Sequence, residues 1–238
     1  MKTHGTLFFH GYGVRGGTWD TVRAAIGTRT GPTSAPDIDA ESVEELLTLA
    51  RGRARRFSLE ADGPVLAVGH SLGGVLAALV AREPGPPVVG GAVIIATPYG
   101  ERTDVPGPIM RFLLRHQLVP PWLVRPRFFS EKTPTQVQKE VFANAVTEAP
   151  ALREITVQRR HFHTDLFTGP LPVPSLVIAS EADRIVPVDQ SRAFGEVLGS
   201  ELMILPRAER VGHDDFFASP QVAGRVAEAI EDFARRLA

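Results

Sequence analysis

Short apolar runs alternate with amphipathic stretches along most of the chain. Leu7-Phe8-Phe9-His10 reads as a buried strand, and Thr18 to Ile26 as a helix capped by Thr18. Ser34 to Ile38 reads as a second short strand. Ser42, with Glu45 three residues on, is a capping-box start for the next helix. Val65 to Val68 is an apolar strand stopped at Gly69, and Ser71 to Arg82 is helical, ended by Pro84. Val88 to Ala96, Ser175 to Ala179 and Glu201 to Leu205 read as strands; Gln190 to Leu198 and Val222 to Leu237 read as helices. Uninterrupted apolar strands alternating with helices predict a parallel sheet covered on both faces.

The rhythm breaks between Thr97 and Pro174. This stretch is proline-rich, helical in pieces (Ile109 to Leu118, Thr135 to Val146), and too long for a plain connection. The expected organisation is an α/β core of residues 1–97 and 174–238, with a helical lid over 98–173.

Composition narrows the class. Hydrophobic residues are 43% and charged residues 22%, as in ordinary globular chains. A net charge of −1 gives no whole-chain pull toward nucleic acid or anionic lipid. The absence of cysteine excludes a disulfide scaffold, a thiolate metal site, an iron–sulfur cluster and a cysteine nucleophile. No apolar run matches a secretory signal or a membrane span. The expectation is a cytoplasmic protein, monomer or homodimer, with no nucleic-acid partner. Arg51, Arg53, Arg55 and Arg56 close a helical pattern, where cations oppose the helix dipole.

Two glycine motifs compete for the chemistry. His10-Gly11-Tyr12-Gly13-Val14-Arg15-Gly16 contains G-x-G-x-x-G after a strand, with Asp37 and Asp39 at the distance a dinucleotide site wants. That reading fails on helix placement, because a dinucleotide motif starts its helix inside the glycine run. Gly69-His70-Ser71-Leu72-Gly73-Gly74 is a G-x-S-x-G between an apolar strand and a good helix, the setting of a serine on a tight strand-to-helix turn. Cβ atoms two residues either side would collide there, and Gly69 and Gly73 remove them.

A serine hydroxyl needs a base, and the base an orienting carboxylate. Asp183 follows one predicted strand and His213 the last. In a parallel sheet the strand C-terminal ends face one side, so Ser71, Asp183 and His213 converge there. Glu181, Asp189, Asp214 and Asp215 are alternative carboxylates, with Asp183 best placed and Glu181 second.

These pieces, with Asp183-Arg184-Ile185-Val186-Pro187 and Gly212-His213, resemble the α/β-hydrolase family in order and spacing. The resemblance implies Ser71 as nucleophile, His213 as base, Asp183 as acid, and an oxyanion hole from the backbone N–H groups of Tyr12 and Leu72. It makes the first glycine motif an oxyanion loop. His10-Gly11 comes too early to leave room for the family's first strand hairpin, so a mostly parallel sheet of about six strands is expected. The implied activity is carboxylic ester hydrolysis through an acyl-enzyme, on a small or medium apolar ester, with no cofactor and no metal. Thioesterase, acyltransferase and cofactor-free perhydrolase chemistry share the triad; a dinucleotide-binding or non-catalytic binding protein is the remoter reading. Turnover is expected to rise with pH through about 6.5 as His213 deprotonates.

The predicted lid carries aromatic residues suited to roofing an apolar cavity. The residues expected to contact substrate are Phe112, Phe128 and Phe129 there, with Gly11 and His70 from the core. His4, His10 and His116 read as structural or surface residues, as does His70 taken alone. His161 and His163, two apart, are expected on a strand and facing opposite ways. Trp19 and Tyr99 are expected to pack.

Overall fold

The computed structural model describes residues 3–83, 88–102 and 106–237. Six strands form one all-parallel sheet: β1 (Thr6–Phe9), β2 (Thr33–Ser34), β3 (Val65–His70), β4 (Val89–Ile95), β5 (Ser175–Ser180) and β6 (Glu201–Leu205). Their order across the sheet is β2-β1-β3-β4-β5-β6. The order reverses between β1 and β3, and ligand crevices open outside strand C-termini at such a switch point.

The strand sequences explain the layers. Leu7, Phe9, Val65, Ala67, Ala92, Ile94 and Val177 join one buried cluster, while Phe8, Leu66, Val68, Val93, Ile95 and Ile178 join the other. Alternate residues therefore feed opposite faces of a sheet buried on both. Helices α2 (Val43–Glu60), α3 (Leu72–Ala81) and α8 (Val188–Leu198) contribute to the first cluster, and α1 (Asp20–Ile26) and α10 (Pro220–Leu237) to the second. Between β4 and β5 lie α4 (Pro108–Arg115), α5 (Pro121–Phe128), α6 (Thr135–Ala143) and the single turn α7 (Pro150–Arg153). A short α9 (Asp215–Ala218) precedes α10.

Most predicted elements stand within a residue or two. At Ser42 the side chain accepts the Glu45 N–H, and Glu45 reaches back to the Glu41 N–H. Four readings change. Thr18 does not cap α1: it lies in a 3-10 turn, Gly16–Trp19, and donates its hydroxyl to the Arg15 carbonyl. The second strand is only Thr33–Ser34, because the chain then turns so that Ile38 can meet His10. The arginine run does not close α2, which continues to Glu60; Arg51 and Arg55 pair with Glu83, and Arg56 with Glu60. The helix of the α5 segment was missed, since three prolines (Pro120, Pro121, Pro126) hide its period. Pro84, the expected stop of α3, lies outside the described residues. Among the described residues no helix is long and apolar enough to cross a membrane.

Candidate active site

Ser71 stands between β3 and α3 with φ +55° and ψ −119°, a conformation that costs a non-glycine residue of order 1–3 kcal/mol. Its neighbours make the turn feasible. A Cβ on Gly69 would lie 1.9 Å from the Gly73 carbonyl oxygen, and one on Gly73 would lie 2.1 Å from that of Phe9. The glycines thus let the helix start press against β3 and β1. The Ser71 N–H donates to the Ile95 carbonyl at 2.8 Å, and the Thr97 hydroxyl donates to the Ser71 carbonyl at 3.1 Å. Leu72 is the first residue of α3, so its amide has no intrahelical acceptor and sits at the positive end of the helix dipole.

The loop after β1 lies alongside. A Cβ on Gly11 would stand 3.4 Å from that of Ser71. His10 holds the loop's shape. Its Nε2 accepts the Ile38 N–H at 3.0 Å, which puts the ring proton on Nδ1, 2.9 Å from the Gly11 carbonyl. Gly13, at φ +73°, donates its N–H to Glu148 at 2.7 Å, and its carbonyl accepts the Val146 N–H at 2.9 Å. The β1 loop is therefore stapled to the segment before α7. Burial, with the Glu148 carboxylate, pushes the Tyr12 phenol up to about 12.

Asp183, after β5, and His213, after β6, meet. Asp183 Oδ2 accepts from His213 Nδ1 at 2.8 Å, while Oδ1 accepts the N–H groups of Ile185 and Val186 at 2.8 and 2.9 Å. Both side chains are buried. The pair fixes the tautomer: Nδ1 carries the proton and Nε2 keeps its lone pair. Burial pulls the His213 pKa down, but the charge and hydrogen bond of Asp183, and then Asp214, outweigh it and hold the value above 6.5. Two of the other carboxylates are engaged elsewhere. Glu181 accepts the Arg207 N–H and faces Arg192, and Asp189 lies on the surface near Arg192.

Ser71, Leu72, Tyr12, Gly11, His70 and His213 share the wall of one cavity of about 910 Å³. Its other wall comes from the segment between β4 and β5, including Met110, Leu114, Val124, Phe128, Phe142 and Phe162. Phe128 stands against the His213 ring, centroids 5.9 Å apart. Phe112 and Phe129 are not among the lining residues. Phe112 is 55% exposed and packs at a tilt against His116, while Phe129 is buried against Phe142.

The profile of the Alpha/beta hydrolase family matches residues 6–229. The chain belongs to that family. Solved structures agree on the fold of this hydrolase. A thermophilic esterase from Thermogutta terrifontis is similar at TM-score 0.72 and 20% identity, covering 99% of this chain and 91% of that one. A monoacylglycerol lipase from Paleococcus ferrophilus is similar at TM-score 0.72 and 16% identity, covering 100% and 96%. A bromoperoxidase from Bacillus anthracis is similar at TM-score 0.74 and 16% identity, covering 99% and 92%. No curated protein sequence matches the hydrolase.

Several residues at the site of this hydrolase escaped the sequence reading. Asp215, wholly buried, accepts the Gly212 N–H at 2.7 Å, the Thr133 hydroxyl at 2.6 Å and the Ser130 N–H at 3.1 Å. It thus ties the loop of His213 to the chain between α5 and α6. Asp214 lines the cavity beside His213, and burial raises its carboxyl to about 7. Both were visible in the sequence only as spare carboxylates. His161 and His163 are not on a strand facing opposite ways. They sit on a turn with ring centroids 5.7 Å apart, both lining the cavity wall. His163 Nε2 donates to the Pro98 carbonyl at 2.7 Å and His161 Nε2 lies 3.2 Å from Gln190 Oε1. Burial, first of all causes, pulls each imidazole down to about 4.

Proposed function

We propose that this hydrolase cleaves carboxylic esters through an acyl-enzyme on Ser71. The observation that carries the reading is the strained turn that raises Ser71 into the cavity that also holds the Asp183-oriented imidazole of His213. His213 Nε2 takes the Ser71 proton as Oγ attacks the ester carbonyl carbon. The oxyanion forms facing the Leu72 and Tyr12 amides, each worth roughly 3–4 kcal/mol to the transition state. The imidazolium returns its proton to the leaving alkoxide, the alcohol departs, and water repeats both steps on the acyl-enzyme. Asp183 stabilises the imidazolium and keeps its proton on Nδ1.

The apolar walls favour an uncharged aliphatic or aromatic substrate of small to medium size. Residues 98–173 act as a lid over it. The test is a fluorophosphonate label and a p-nitrophenyl ester series. Labelling at Ser71, with turnover lost in a folded Ser71→Ala variant, supports the reading. Unlabelled folded protein, or turnover that survives Ser71→Ala, overturns it.

The likeness to a bromoperoxidase favours a second reading, in which hydrogen peroxide replaces water as acceptor of the acyl group. Bromination of a dye in acetate, bromide and hydrogen peroxide, where the peracid formed oxidises bromide to hypobromite, distinguishes it when the activity is lost in Ser71→Ala. Acyl-CoA substrates test the thioesterase and acyltransferase variants of the same chemistry.

A further inference from the structure

One buried nitrogen in the cavity wall has no role in the chemistry above. His70 is 2% exposed. Its Nε2 lies 2.8 Å from the His213 carbonyl, which can only accept, so Nε2 carries the proton and Nδ1 holds a lone pair. Nδ1 is buried without a hydrogen-bond partner. His213 has the matching arrangement, with Nδ1 held by Asp183 and the lone pair on Nε2. One nitrogen of each ring and one carboxylate oxygen of Asp214 lie within 4.8 Å of one another.

Two neutral imidazoles, each with one nitrogen held by an acceptor and a lone pair on the second, together with one carboxylate are donor types suited to zinc. Ring spacing agrees. A zinc ion about 2.0–2.1 Å from each nitrogen lies about 3.2 Å from each ring centre, so two bound rings stand between about 4.5 Å (right angle) and about 5.2 Å (tetrahedral) apart. The His70 and His213 centroids are 4.5 Å apart. The edges of a zinc tetrahedron are about 3.4 Å, so closing on the ion asks for side-chain shifts of at most about 1.4 Å. All three residues line the cavity, which gives the ion a route in.

We propose that His70, His213 and Asp214 form a binding site for a divalent transition metal, Zn²⁺ above all, and that the bound ion switches the enzyme off. Coordination takes the lone pair of His213, and with it the proton acceptor for Ser71. The proposal adds an inhibitory ligand to the esterase reading; metal binding itself is independent of that reading.

The experiment uses the full chain, freed of metal by chelator. Added Co²⁺ gives the visible bands of low-coordinate cobalt at one equivalent, and Zn²⁺ abolishes them by competition. Zn²⁺ suppresses p-nitrophenyl ester turnover and slows fluorophosphonate labelling of Ser71, both reversed by EDTA. Mg²⁺, a hard ion that prefers six oxygen ligands, does neither. Asp214→Asn weakens Zn²⁺ tenfold or more while keeping the circular dichroism of the fold; His70→Gln serves if that variant fails to fold. No cobalt bands in the parent chain, or undiminished affinity in a folded variant, overturns the site. Cobalt bands with unchanged turnover and labelling overturn the inhibition. The spectra report binding whether or not esters are cleaved, so failure of the esterase reading is separable from failure of this one.

Discussion

Replacing His163 should flatten the acid sensitivity of the fold. The ring is 1% exposed, packed among Tyr99, Phe162, Phe167 and Phe194, with one nitrogen on the Pro98 carbonyl. Facing it are His161 at 5.7 Å and, beyond His161, Arg102. Burial drops its pKa to about 4, against 6.5 for a free imidazole. Between these values the unfolded chain binds a proton that the folded chain refuses. The stability is therefore whole above pH 6.5 and is lost as pH falls, until the loss levels off near 4. From pH 7 to pH 5 this histidine alone costs about 2 kcal/mol, or about 4–8 °C in Tm for a chain of this size. The assay is urea unfolding at both pH values, followed by fluorescence of Trp19, itself 1% exposed. His163→Gln lowers stability at both, but its drop from pH 7 to pH 5 should be about 2 kcal/mol smaller than the parent's. Comparing the two drops cancels the carboxylates and the histidines away from residue 163; only His161, in contact with it, is left to differ between the two proteins. Equal drops in the two proteins would refute the argument.

Three further outcomes are expected. Gly69→Ala places a Cβ 1.9 Å from the Gly73 carbonyl oxygen, so the variant should unfold or lose ester turnover, whereas Gly52→Ala in α2, with open space around it, should be neutral or slightly stabilising by melting temperature. Asp215→Asn leaves one oxygen where three donors converge; it should cost roughly 2–3 kcal/mol in urea unfolding and lower kcat more than it raises KM. The acid limb of kcat/KM should have its midpoint above pH 6.5, since the carboxylates outweigh burial at His213, and Asp214→Asn should move it down; a flat profile from pH 5 to 8 would remove His213 as base.

The sheet and its layers were legible because β3 and β4 are continuous apolar runs that only a two-sided core explains. The tight turn at Ser71 was legible because its signal is local: glycines at fixed offsets around one serine. Asp183 was legible from its place after a strand. The anchoring role of Asp215 was not, because its partners Ser130 and Thr133 lie far away in sequence and carry no pattern. Phe112 and Phe129 misled for a related reason. Hydrophobicity marks a residue for burial or contact, but not whether its side chain meets the cavity, the core or solvent. The spacing of two between His161 and His163 suggested a strand, where backbone bonds from Thr164 N–H to the His161 carbonyl and from Leu166 N–H to the His163 carbonyl make a turn instead.

The joint made by Asp215 constrains how this enzyme can diversify. Exchanging residues 98–173 as a block would remove the Thr133 hydroxyl and Ser130 N–H that meet that carboxylate, and the loop of His213 would lose its footing together with the imidazole it carries. New specificities are therefore more accessible through exchanges among the apolar residues of α4 to α6 than through wholesale replacement of the segment.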